Sequence, residues 1–128
     1  MNRAFSPATI HAPASAYSHA IEVPAKARWL VVSGQVGIAP DGKVADGVEA
    51  QLEQIYANIA AALTAAEMGI ADLVKLTVFL TRAEDVAVAR RVRDKHMAGH
   101  KPASTLVIIS ALVSPALLAE IEALAAKT

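Results

Sequence analysis

The residues able to do chemistry in this chain fall into a few groups. Glu120 and Glu122 alternate with apolar residues near the C-terminus. A carboxylate against an apolar wall acquires a raised pKa and can orient water or move protons near neutrality, so both are general acid/base candidates. Four histidines stand at His11, His19, His96 and His100. The i, i+4 spacing of His96 and His100 can place two imidazoles on one helix face, but no Glu adjoins them in the metalloprotease pattern and Gly99 breaks a helix between them. No metal site is expected. Ser33-Gly34-Gln35 offers a hydroxyl and backbone amides without a neighbouring base, which reads as a strand-ending turn. Gly34 and Gly37 precede a turn instead of a helix N-terminus, so they make no phosphate loop. Arg82, Arg90, Arg91, Arg93, Lys95 and Lys101 are interleaved with Glu84, Asp85 and Asp94. That mixture reads as a solvated helix face with i, i+4 pairs.

Periodicity shows which elements must carry these residues. Residues 1–16, with Pro7 and Pro13, follow neither period and read as an extended arm. A strand is predicted over 18–23 and, beyond the turn Pro24-Ala25-Lys26-Ala27, a buried strand over 28–33; the two are expected to pair as a hairpin. From Asp46, residues Val48, Leu52, Ile55, Ile59, Leu63 and Ala66 recur at steps of three or four, the stripe of an amphipathic helix. Asp46 with Glu49 suggests a capping box at its start, and Gly69 a left-handed cap at its end. The β-branched and aromatic content of Leu73 to Leu80 predicts a central strand. Thr81 and Glu84 repeat the capping pattern before a helix over 83–98, ended by Gly99, and Ser104 to Ser110 reads as an apolar strand. The segment after Ser114-Pro115 satisfies both periods. Leu117, Leu118, Ile121 and Leu124 fit one helix face, and Glu120 and Glu122 alternating with Ile121 and Ala123 fit a strand; its Ala, Leu and Glu content favours helix. The order of elements belongs to an α+β or mixed α/β domain.

Twelve Lys+Arg balance twelve Asp+Glu, so the formal net charge is zero. That argues against a nucleic-acid binder, whose phosphate contacts require a basic excess. The 128 residues make one domain, 1–128, and the absence of cysteine removes thiolate zinc sites, disulfides and thiol redox chemistry. Hydrophobic residues reach 55% while aromatics are only 4%, so part of the alanine-rich apolar surface is expected at a subunit interface. No run approaches the ~18 apolar residues of a membrane span, and Met1 to Pro7 lead into no signal-peptide core. A soluble, cytoplasmic protein with no membrane partner is expected.

Five segments, in order, resemble those of one family. Tyr17-Ser18-His19-Ala20-Ile21 resembles its tyrosine-containing opening motif, and Val32-Ser33-Gly34-Gln35-Val36 its Ser-Gly-Gln turn. Gln51 and Asn58, seven apart on one helix face, fit its helix pattern, and Asp72 to Leu80 its central strand. Glu120-Ile121-Glu122-Ala123-Leu124-Ala125 resembles its C-terminal signature. The family is the Rid, or YjgF, family of reactive-intermediate deaminases, and the resemblance spans residues 17–126. It implies a chorismate-mutase-like α+β protomer, a mixed sheet backed by two helices, assembled as a homotrimer with small-molecule sites between subunits. It also implies that the last segment is a strand, with Glu120 and Glu122 on one face.

In the family's best-characterised branch, reactive enamines and imines such as 2-aminoacrylate are hydrolysed to a 2-keto acid and ammonia without a cofactor. The resemblance carries the water-positioning role onto Glu120 and substrate contacts onto Tyr17, Ser33 and Gly34. The branch's carboxylate-binding arginine does not carry over. Where it reads Pro-Ala-Arg, this chain reads Pro102-Ala103-Ser104, a hydroxyl in place of a bidentate guanidinium. The branch's Asn and Tyr on the second helix become Arg90 and Arg93, and its Phe pair becomes His96-Met97. Either a displaced arginine such as Arg93 compensates or the ligand differs, and the joint change of several pocket-side positions favours the second. Ser104 and Thr105 are then expected to form a small polar pocket. The implied activity is hydrolytic deamination of a small imine-like or enamine-like metabolite. The rivals are a non-catalytic ligand-binding trimer and, against the charge balance, a ribonuclease or translation inhibitor.

Overall fold

Along the central strands, buried and open side chains alternate because helices cover only one face of the sheet. The computed structural model describes residues 1–128, with strands β1 (Arg3–Phe5), β2 (Ala20–Glu22), β3 (Arg28–Val36), β4 (Leu73–Leu80), β5 (Ala103–Ile108) and β6 (Ala119–Lys127). Helix α1 (Val48–Ala65) lies between β3 and β4, and α2 (Val86–Met97) between β4 and β5. The main sheet has the order β3-β6-β4-β5. β6 is antiparallel to both β3 and β4, while β4 and β5 are parallel and are joined by α2 as the crossover. This is the α+β architecture with a mixed sheet and two helices that the resemblance implies. No helix is long and apolar enough to cross a membrane.

Leu52, Ile55, Tyr56, Ile59 and Leu63 of α1 are buried against β3 and β6, with α2 alongside. Leu76, Val78 and Leu80 of β4 and Ile121, Ala123 and Ala125 of β6 complete that layer. The other face carries Lys75, Thr77 and Phe79 of β4, Glu120, Glu122 and Leu124 of β6, and Trp29 and Val31 of β3. Val31 is 74% exposed and Trp29 55%, which leaves an apolar strip uncovered in the single protomer.

The structure departs from the sequence reading at several junctions. The last segment is a strand despite its helical composition, because β6 is hydrogen-bonded on both edges and buries every second residue. The arm is not wholly irregular. Arg3–Phe5 pairs with β2, Arg3 opposite Glu22 with an ion pair at 3.1 Å. The expected hairpin between β2 and β3 does not form, since β1 takes β2 and β6 takes the one paired edge of β3. β3 runs on through Gly34 to Val36, and β5 spans 103–108, not 104–110. Asp46 does not cap α1; Gly47 does so through its backbone at φ 86°. Gly69 is extended, and its N–H donates to Asp72 Oδ2 at 2.8 Å, while the left-handed residue after α1 is Glu67. A 3-10 turn over Ala83–Asp85 precedes α2 in place of a Thr81 cap, because the Asp85 carboxylate turns back to accept from Arg82 Nε and Nη2 at 2.8 and 3.1 Å.

Candidate functional site

The β3–β6 ladder slips by one residue where chemistry is expected. Val32 pairs with Ala123 and Gln35 with Ile121, so Ser33 and Gly34 together oppose Glu122 in a bulge. Glu120 lies over the glycine. A Cβ on Gly34 would stand 2.1 Å from Glu120 Oε1 and 2.9 Å from its Cδ, so only a residue without a side chain seats this carboxylate.

Polar residues of α1 hold that seat from behind. Gln51 is buried; its Nε2 donates to Ala45 O at 3.2 Å and Ala116 O at 2.9 Å, and its Oε1 accepts from Leu118 N at 2.8 Å. The bonds to Ala116 and Leu118 fix the loop entering β6, two residues before Glu120. Asn58 Nδ2 donates to the carbonyls of Val36 and Ile38 at 3.4 and 3.2 Å, fixing the chain leaving β3. Gly37 lets α1 approach, since a Cβ there would lie 2.5 Å from Gln51 Cα. Glu120 and Glu122 then border an open groove of about 360 Å³ walled by Phe79, Ile109, Leu112 and Val113.

A second cleft opens between the arm, α2 and β5. Ser18 docks the arm: its N–H donates to Pro102 O at 3.2 Å and its Oγ to Lys101 O at 2.6 Å. Tyr17 and Ser104 are thereby brought to one cleft of about 180 Å³, with Arg90, Arg93 and Leu106. Arg93 falls on the buried stripe Ala89, Arg93, Met97 of α2 and is only 6% exposed. Its Nε donates to Asp94 Oδ1 at 3.0 Å, while its Nη2 is buried with no partner. Burial pushes the nearby Tyr56 phenol well above its ordinary range, against the opposing pull of the Arg93 charge.

Of the residues singled out by sequence, Tyr17 joins Ser104, and Gly34 touches Glu120 at the bulge that also holds Ser33. Thr105 does not join Ser104. Successive strand residues face opposite ways, and the Thr105 hydroxyl lies 2.5 Å from Lys75 Nζ on the open face. Register places Ser104 beside Leu76 and Glu120 beside Phe79, two strands apart. Their Cα atoms are therefore roughly 14 Å apart, with the side chains on opposite faces. One protomer thus carries these residues in two separate clusters.

Two of the four histidines, His96 and His100, are engaged elsewhere, while both ring nitrogens of His19 are buried without a hydrogen-bond partner. His96 stacks on Tyr56 at 5.1 Å, and its ring nitrogen is 2.7 Å from Glu53 Oε2. Lys95 and His96, by hydrogen bonding, hold the Glu53 carboxyl below its usual range. His100 Nε2 is 2.7 Å from the Leu73 carbonyl, and no group of three His, Asp or Glu is placed to hold a metal ion.

Comparison with known proteins fits this arrangement. A family model described as Endoribonuclease L-PSP matches residues 9–127. The chain is 35% identical over 117 residues to a RutC family protein of Pyrococcus horikoshii, covering 90% of each chain. The chain belongs to the Rid, or YjgF, family. Among Rid-family relatives, a 2-iminobutanoate/2-iminopropanoate deaminase of Salmonella typhimurium is 32% identical over 102 residues, 77% of this chain and 79% of that one. The crystal structure of the Rid protein YyfB of Yersinia pestis, a protein of unknown function, superposes with a TM-score of 0.87 at 30% identity, covering 97% of both chains. Within this Rid fold, sequence reasoning missed the docking role of Ser18 and the close approach at Gly37. Charge pattern alone read Arg93 as solvated, while the resemblance set it among pocket-side positions; an arginine at i+4 from Ala89 and i−4 from Met97 interrupts an apolar stripe that marks a buried position.

Proposed function

We propose that this chain hydrolyses a small 2-imino or enamine acid to the 2-keto acid and ammonia. It acts as a homotrimer in which the Gly34–Glu120 half-site of one protomer meets the Tyr17–Ser104 half-site of the next. The observation carrying this reading is the glycine seat under Glu120, which keeps a carboxylate at an open groove with no room for a side chain beneath it. The uncovered strip of Trp29 and Val31 beside it supports assembly through that face. Imine hydrolysis needs an oriented water and two proton movements. Glu120 accepts a proton as water oxygen bonds to the imine carbon and the C=N pair moves to nitrogen. Glu120 returns that proton to nitrogen, and the resulting amino alcohol collapses to C=O as its hydroxyl proton passes to the nitrogen, which leaves as ammonia. A positioned general base is worth about 10²–10⁴ in rate.

The test is keto-acid release from 2-imino acids generated in situ. Glu120→Ala abolishes release while light scattering still reports a trimer; unchanged release removes Glu120 from the mechanism. A monomer as the only species overturns the shared site. A non-catalytic ligand-binding trimer is the second reading, favoured by Ser104 standing where the resemblance calls for arginine. A natural protein that binds 2-keto acids yet releases none from imines selects it.

A further inference from the structure

We propose that Arg93, assisted by Arg90, binds the single carboxylate of the substrate from α2, in the cleft both share with Tyr17 and Ser104. This rests on the imine-acid reading above and names the group that recognises its substrate.

The charges around α2 are unevenly paired. Arg91 pairs with Glu49, Lys95 with Glu53, and Arg82 with Glu84 and Asp85. Arg90 makes no ion pair although it borders the cleft. Arg93 has one partner, Asp94, on Nε alone. Its side chain is 7% exposed, and the Nη2 hydrogens, removed from water, meet no acceptor. A buried guanidinium donor without an acceptor is costly to keep, so its retention calls for an anion that completes it. Two guanidiniums against the one Asp94 carboxylate leave the cleft one positive charge in excess, which one ligand carboxylate neutralises. The three-residue spacing of Arg90 and Arg93 puts both on one helix face, able to hold two oxygens of the same group. The hydroxyls of Tyr17 and Ser104 remain to bond the rest of a small ligand, in keeping with a cleft of about 180 Å³. Arginine thus reaches the cleft from the helix instead of from position 104 on the strand, which favours the displaced arginine over the different ligand that the sequence alone suggests.

Calorimetric titration of the full-length protein with 2-oxobutanoate, 2-oxobutanamide and inorganic phosphate tests this. The natural protein binds the acid at least about tenfold more tightly than the amide or phosphate. Arg93→Gln weakens acid binding by about 30-fold or more and leaves amide binding alone. Arg90→Gln, on an exposed position that leaves the helix intact, weakens it by a few-fold, and Ser104→Arg restores binding in the Arg93→Gln background. Equal binding of acid and amide, tighter binding of phosphate, no binding by the natural protein, or indifference of both arginine variants overturns the proposal. The two readings fail separately. Arginine-dependent binding of 2-oxobutanoate without imine turnover leaves the carboxylate site standing and removes the deaminase. Imine turnover indifferent to Arg90→Gln and Arg93→Gln does the reverse.

Discussion

Gly34→Ala is the sharpest perturbation of the proposed catalytic half-site. The new methyl would lie 2.1 Å from Glu120 Oε1, so that oxygen must retreat by about 0.9 Å to reach even a 3.0 Å contact, and the adjacent Cδ at 2.9 Å must follow. A displacement near 1 Å at a reacting group costs about 10²-fold, equivalent to about 2.7 kcal/mol of transition-state stabilisation. Stability should barely register the change. What yields is the free end of a side chain that makes no hydrogen bond inside the protomer, and an alanine in a strand gains roughly 0.5–1 kcal/mol over glycine. The melting temperature is expected to move by less than about 4 °C.

Gly37→Ala supplies the contrast. Its methyl would stand 2.5 Å from Gln51 Cα and Cβ, backbone and stem of a packed helix, so α1 itself must shift. Overpacking of that kind costs about 1–3 kcal/mol. Keto-acid release and thermal melts, measured side by side on the two variants, separate a displaced carboxylate from a strained core. Adding Gly34→Ala to Glu120→Ala should cost nothing further if both act through one group. Turnover by Gly34→Ala within threefold of the natural protein, or a melting drop matching that of Gly37→Ala, would refute the seat.

Gln51→Ala strips three hydrogen bonds from a buried side chain and leaves the Leu118 N–H beside a cavity. Urea unfolding should show a loss of about 2–4 kcal/mol, and a loss below about 1 kcal/mol contradicts the bracing role of α1. The Glu53 carboxyl, lowered in the folded state by Lys95 and His96, contributes stability that is present above its unfolded pKa and lost as pH falls through the folded value. Glu53→Gln should therefore be less stable than the natural protein at neutral pH, with the gap closing as pH falls below the ordinary carboxylate range; a gap that persists into acid contradicts the assignment.

How legible each element was depends on whether its cause lies within a few residues along the chain. The stripe Leu52, Ile55, Ile59, Leu63 gave α1, and the content of Leu73 to Leu80 gave β4, because in both the buried face repeats locally. β6 reads as helix by propensity, and what overrides it is pairing with β3 some ninety residues earlier and with β4 some forty-five earlier. The capping residues misled for a related reason. Asp46 and Thr81 have the right chemistry, but the chain enters α1 through the left-handed Gly47 and enters α2 through a 3-10 turn held by Arg82 and Asp85. Thr105 was a different kind of miss, since once Ser104 lies in a strand its successor must face the other way.

The site shows the same division between local pattern and long-range register. The family motifs named Tyr17, Ser33, Gly34 and Glu120, and Ser104 stood out as a departure from them, yet nothing along the chain says that Gly34 is empty because Glu120 fills its place. That contact exists only through the one-residue slip between β3 and β6. Nor does spacing reveal that Ser104 and Glu120 occupy opposite faces of one sheet, which separates the proposed recognition and water-activating groups within the protomer. If the two halves work on one molecule, different chains must supply them, and the apolar strip of Trp29 and Val31 then has a catalytic consequence as well as a structural one. Arg93 belongs to the same logic. A guanidinium is kept on the apolar stripe of α2 with an unpaired Nη2, a burial cost that the proposed carboxylate in the cleft would offset.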